Sequence, residues 1–112
     1  AVSYPLTLRY GIPHGHASAV ALAWLLRWHG ETHPDRIAIL TNALEVADAE
    51  TAARSVEALM DRVDVPRRLR DLGVMPEDLP PLVEAAFASN RMNNTVGALT
   101  RDQIYDMVRA IW

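Results

Sequence analysis

Between Gly15 and His29 the chain reads GHASAVALAWLLRWH. At helical spacing, Val20, Leu22, Trp24, Leu25, Leu26 and Trp28 point nearly all the way round the axis. A helix that is apolar on every face is ordinarily buried on every face, so in a chain of 112 residues the remainder must wrap around it. This predicts one helix from Gly15 to His29, closed by Gly30 in the C′ position. The largely apolar run, Ala17 to Leu26, is shorter than the ~18 residues of a membrane span and ends at Arg27. No basic stretch precedes it, so it does not read as a secretory leader.

The rest of the chain supplies short amphipathic helices. Thr32 is placed to cap a second one, with Pro34 in its first turn and Ile37, Leu40 and Leu44 at helical spacing. Asp48 opens a third. Ala52, Val56, Leu59, Met60 and Val63 form its apolar face, and Arg54, Glu57, Asp61 and Arg62 lie mostly opposite. A short helix over Pro66–Leu72 closes at Gly73, and Leu79, Leu82, Val83, Ala86 and Phe87 outline a fifth. Thr100 and Gln103 have capping-box spacing ahead of Ile104, Met107, Val108 and Ile111. The segment from Ala1 to Tyr10 is ambiguous, because Pro5 argues against a continuous helix. No alternation of useful length suggests a strand, so the expectation is one all-α, bundle-like domain of about six helices over residues 1–112.

Composition narrows the chemistry. A formal net charge of -3 gives no electrostatic case for nucleic acid or an anionic membrane. With no cysteine, disulfides and thiolate metal sites are excluded, and a transition ion would have to use histidine, carboxylate or water. All 11 basic residues are arginine, which excludes Schiff-base chemistry and a lysine base. No phosphate-binding glycine loop or nucleophile elbow is present.

The histidines are the remaining chemical handles. His14, in the turn Gly11-Ile12-Pro13-His14-Gly15-His16, sits where glycine and proline fix the backbone. It reads either as a metal ligand held on a rigid turn or as a capping or hydrogen-bonded histidine. His29 and His33 are four apart, but Gly30 and Pro34 should break the helix between them, leaving solvated helix-end polarity. A closed zinc site built from His14, His16, His29 and His33 lacks anything to fix its geometry. Trp24 and Trp28 read as core packing or a domain contact. Arg67, Arg68 and Arg70 read as a solvated face rather than an RNA site. The Asn90-Arg91-Met92-Asn93-Asn94 loop fits ordinary turn chemistry or an anion or hydroxyl site.

Tyr4-Pro5-Leu6-Thr7 followed by Tyr10-Gly11-Ile12-Pro13-His14-Gly15-His16-Ala17, with Asn93-Asn94 and Leu99-Thr100-x-x-x-Ile104 near the end, resembles the iron-containing (group III) alcohol dehydrogenases. The wording is nearest the phosphonoacetaldehyde reductase-like branch, and the resemblance spans essentially the whole chain, over that family's C-terminal helical domain. It implies an NAD(P)-dependent alcohol dehydrogenase or aldehyde reductase of cytoplasmic location. An N-terminal nucleotide-binding domain would hold NAD or NADP. A divalent metal, Fe2+ or Zn2+, would be held by an aspartate and three histidines. Carried onto this chain, His14 matches the last histidine ligand, and the others would lie before Ala1. The chain is thus expected to be a C-terminal portion of the enzyme, inactive alone, whose partners are its own N-terminal domain, a small aldehyde or alcohol, and a second copy if the common dimer forms. Neither nucleic acid nor membrane is implied. Tyr4 stands where many members have a proton-transferring histidine, so Tyr4 or His16 are the candidates for that role. Asn90 and Arg91 are the candidates for the charged end of an anionic aldehyde. The alternative is a stand-alone degenerate helical module that binds or regulates without catalysis.

Overall fold

The computed structural model describes residues 1–89, 92, 94 and 96–112. The described residues form seven α-helices and no strand: α1 (Ser3–Tyr10), α2 (His14–Ala19), α3 (Leu22–Thr32), α4 (Pro34–Ala43), α5 (Ala49–Arg62), α6 (Leu79–Phe87) and α7 (Arg101–Ala110). Short 3-10 turns at Leu69–Leu72 and Pro76–Asp78 link α5 to α6.

The all-α expectation holds, with local corrections, one being that the short helix expected over Pro66–Leu72 is only the 3-10 turn at Leu69–Leu72. Pro5 does not interrupt α1, because it falls in the first turn, where a backbone N–H would have no helical partner. The predicted Gly15–His29 helix is two helices that part at Val20 and Ala21. The local sequence holds no breaker there, but both residues are buried in the core. Gly30 does not end α3, which runs on to Thr32. A Cβ on Gly30 would lie 2.5 Å from the Cβ of Ala49, so the glycine is there to let α3 and α5 approach closely. Thr32 accordingly does not cap α4. Its hydroxyl donates back to the Trp28 carbonyl at 2.7 Å, and His33 occupies the cap position before Pro34.

The caps at Asp48 and Thr100 form as read. Asp48 Oδ1 accepts from the Thr51 N–H at 2.7 Å. Thr100 Oγ1 accepts from the Gln103 N–H at 3.2 Å, while Gln103 Oε1 accepts from the Thr100 N–H at 2.9 Å.

The molecule measures 37 × 32 × 19 Å, and its short dimension is about two helix diameters. Two layers cannot enclose a central helix, so α3 is not buried on every face. Ala23 and Leu26 join Ala52 and Ala53 of α5 in a small core. Trp24, Leu25 and Trp28 lean on the larger core formed by Leu6, Ile12, Ala17, Val20, Leu82, Val83, Ala86, Ile104 and Val108. Leu22 is left exposed.

A charged lattice fastens α3 to α5. Arg27 donates to Glu50 at 2.6 Å and to Glu57 at 2.7 Å, Arg54 joins Glu50 at 2.8 Å, and Arg67 reaches Asp61 at 2.8 Å. The basic trio of the sequence is therefore engaged internally. Arg67 is ion-paired, Arg68 donates to the Ala110 carbonyl at 2.7 Å, and Arg70 lies 6.0 Å from the Trp112 ring centre.

Two predictions arise here. Gly30→Ala in the whole protein forces α3 from α5 and should cost about 1–3 kcal/mol, the range for overpacking a tight site, read as a lowered thermal midpoint. An unchanged midpoint would mean that the two helices can part freely. The second concerns acid. Hydrogen bonds from Arg27, then Arg54, hold the Glu50 carboxyl at about 2, below its ordinary 4.5. Arg27 likewise holds Glu57 down. A depressed carboxylate contributes stability above its unfolded value and loses it as pH falls through the folded one. The thermal midpoint should therefore decline between pH 4.5 and about 2, and Glu50→Gln should flatten that decline.

Candidate functional site

Gly11 has a φ of 65°, a left-handed backbone that favours glycine, and closes α1 with its N–H on the Thr7 carbonyl at 3.1 Å. Ile12 is buried and anchors the turn in the larger core. Pro13, extended at φ -52° and ψ 136°, precedes α2, and its carbonyl accepts from the Ala17 N–H at 2.9 Å. His14 thus occupies the first helical position on a turn held at both ends, with its side chain exposed. The arrangement suits a ligand offered to something above the surface more than a core histidine.

His16, two residues further on, is committed elsewhere. Its Nε2 lies 2.7 Å from the Pro66 carbonyl, an oxygen that can only accept, so Nε2 carries the proton and ties α2 to the segment after α5. Tyr4 stands on α1 and is 44% exposed. Asn90 and Arg91 lie outside the described residues.

A cavity of about 270 Å³ lies along the same side of α2 and α3. Ala1 and Ser3, Ala17 and Ser18, Leu25 and His29 are among its lining residues. Ser18 is four residues beyond His14, one helical turn along the same face of α2. At the far end of the cavity the structure corrects the reading of His29 and His33. Because α3 continues through Gly30, the two imidazoles meet, Nδ1 to Nδ1 at 3.4 Å. Trp28 packs edge-on against His29 at 4.7 Å between ring centres. Burial, and then the neighbouring His33, hold the His29 pKa below its ordinary value. The four-apart spacing was visible in the sequence. The close approach of Ala49, which explains why Gly30 sits inside the helix, was not.

Among the described residues no group of three or more histidine, aspartate or glutamate side chains is gathered to hold an ion, so the four-histidine zinc site does not form there. No helix of the described residues is long and apolar enough to cross a membrane.

Residues 1–112 match the profile described as Fe-containing alcohol dehydrogenase family, C-terminal. The chain is 29% identical over 119 residues to the lactaldehyde reductase of Escherichia coli (strain K12), covering 99% of this chain and 31% of that protein. It is 62% identical over 29 residues to the phosphonoacetaldehyde reductase of Streptomyces viridochromogenes, covering 26% of this chain and 7% of that protein. A crystal structure of a 1,3-propanediol oxidoreductase superimposes with a TM-score of 0.78 at 28% identity, covering 99% of this chain and 31% of that one. The chain therefore spans about a third of the length of the full-coverage relatives.

Proposed function

The chain belongs to the iron-containing alcohol dehydrogenase family as its C-terminal domain, and from that premise we propose that it is the metal-binding part of an NAD(P)-dependent aldehyde reductase. The observation that carries the reading is His14, exposed on the Gly11–Pro13 turn within a family match that runs the length of the chain. An Fe2+ or Zn2+ ion held by His14 would supply Lewis-acid polarisation of the substrate oxygen, and a nicotinamide would exchange the hydride. The donor chemistry fits. A neutral imidazole is a ligand for both ions, and the turn leaves this one reachable. The remaining ligands and the nucleotide site are proposed to lie in the part of the relatives that this chain does not match.

The chain's own residues then divide the work. The Gly11 reversal and the buried Ile12 orient His14. Tyr4 is the preferred proton carrier, because His16 already spends its Nε2 proton on Pro66. The cavity beside α2 takes the body of a small aldehyde, and Asn90 and Arg91 take its charged end if it is anionic. A small aldehyde, neutral and hydroxylated or bearing a phosphonate, is the class suggested by the names of the relatives.

The test is made on the whole protein that contains this chain. It should hold about one equivalent of iron or zinc and oxidise NADH or NADPH in the presence of lactaldehyde or phosphonoacetaldehyde. The 112 residues alone should do neither. A whole protein without bound metal, or with metal and no aldehyde-dependent oxidation of either nicotinamide, would overturn the assignment.

A further inference from the structure

His29 lies in the last turn of α3 and His33 caps its end, so the backbone fixes where both side chains begin. Their Nδ1 atoms are 3.4 Å apart, longer than an ordinary nitrogen hydrogen bond of about 2.7–3.2 Å. Two nitrogens at that separation, each about 2.05 Å from a zinc-sized ion, would subtend about 110° at the ion, the tetrahedral angle. The ring centres are 5.4 Å apart and the planes inclined by 60°. The rings therefore meet in a bend with their Nδ1 atoms adjacent, within reach of one ion.

The surroundings hold that bend. Thr32 gives its single hydroxyl proton to the Trp28 carbonyl, so its oxygen can only accept from His33 Nδ1, at 2.8 Å. On the other edge of the His33 ring, a Cβ on Gly97 would come within 2.5 Å of Cε1 and 2.8 Å of Nε2. Gly97, at φ 76°, thus lets the backbone close on that edge of the ring. Trp28 packs against both rings, 4.7 Å from His29 and 5.6 Å from His33. His29 also lines the 270 Å³ cavity, which gives water or a small anion a way to the pair.

We propose that His29 and His33 form a second cation site, a two-histidine chelate for Zn2+ or Cu2+ that is separate from His14. Both nitrogens bind as neutral imidazoles. The ion takes the place of the Thr32 hydrogen bond at His33 Nδ1; the Nδ1 proton moves to Nε2 of the same ring, and no net proton is released. No third histidine, aspartate or glutamate joins them among the described residues, so water or an added anion completes the coordination. The site is therefore reversible, and by the usual order of divalent ions it favours copper over zinc.

The probe is Cu2+ alone, titrated into the whole protein carrying His14→Ala and followed by electron paramagnetic resonance. One equivalent with two imidazole nitrogens is expected. Adding His29→Gln or His33→Gln should weaken it at least tenfold, and Gly97→Ala should weaken it by displacing His33, while His16→Gln leaves it intact. Circular dichroism confirms that each variant is folded. Absence of such a signal, or one unchanged by both glutamine variants, overturns the site. Because the outcome is read from His29 and His33, it stands apart from the His14 assignment, which would fail separately if His14→Ala kept its iron or zinc.

Discussion

Replacing His14 by alanine in the whole protein is expected to remove bound metal and aldehyde reduction together. The loss should exceed the 10–100-fold typical of a residue that merely supports a ligand, because a ligand itself is removed. Compared metal-free, the variant and the unaltered protein should hardly differ in stability. His14 is exposed, and the first turn of α2 is secured by the Ala17 N–H on the Pro13 carbonyl rather than by the imidazole. An exposed truncation away from caps and core usually stays within about 0.5 kcal/mol. His16→Ala supplies the contrast. It breaks the 2.7 Å bond to Pro66 and should cost about 0.5–1.5 kcal/mol with the metal retained. Metal content and turnover, measured on both variants against unchanged circular dichroism, decide the matter. If His14→Ala keeps normal metal and full activity, the turn is structural and the ligand lies elsewhere.

The elements that the sequence made legible are those governed by local rules. Asp48 and Thr100 cap their helices because a short oxygen-bearing side chain three residues before a free amide finds it without help from the rest of the fold. The Gly11-to-His14 turn was readable for the same reason. What escaped was set by distant partners. Gly30 looks like a terminator, yet it is a contact point for Ala49, nineteen positions on. The bend at Val20 and Ala21 answers to burial, with no breaker in the sequence. The all-round apolar surface of Gly15–His29 was read as a buried core helix. In a body 19 Å thick it instead divides between two cores and leaves Leu22 outside. Of the site, His14 and the His29–His33 spacing could be read directly. That the latter two rings face each other could not, because it depends on α3 surviving Gly30.

The second large effect belongs to Leu6, which joins packing to the candidate site. It is fully buried, and it and Pro5 are the buried residues of α1. The outward positions of that helix are polar or, like Leu8 at 67% exposure, in solvent. Leu6 is therefore the most deeply buried apolar anchor of α1 in the larger core, flanked by Val2 and the partly buried Tyr10. Leu6→Ala removes three carbons and leaves a void among Ile12, Leu82 and its other core neighbours, and buried leucine truncations cost about 2–5 kcal/mol. That is a large fraction of the ~5–15 kcal/mol that keeps a domain folded. The loss should concentrate in α1 and the turn after it, where amide hydrogen exchange in the whole protein should accelerate most. Since α1 carries Tyr4 and ends in the Gly11 reversal that aims His14, metal affinity should fall as well. Protein that is saturated with metal should retain its turnover if the role of Leu6 is only to hold the turn in place. Leu8→Ala, on the same helix, should change neither quantity. Equal effects from the two truncations would mean that α1 is anchored by something other than the buried face of Leu6.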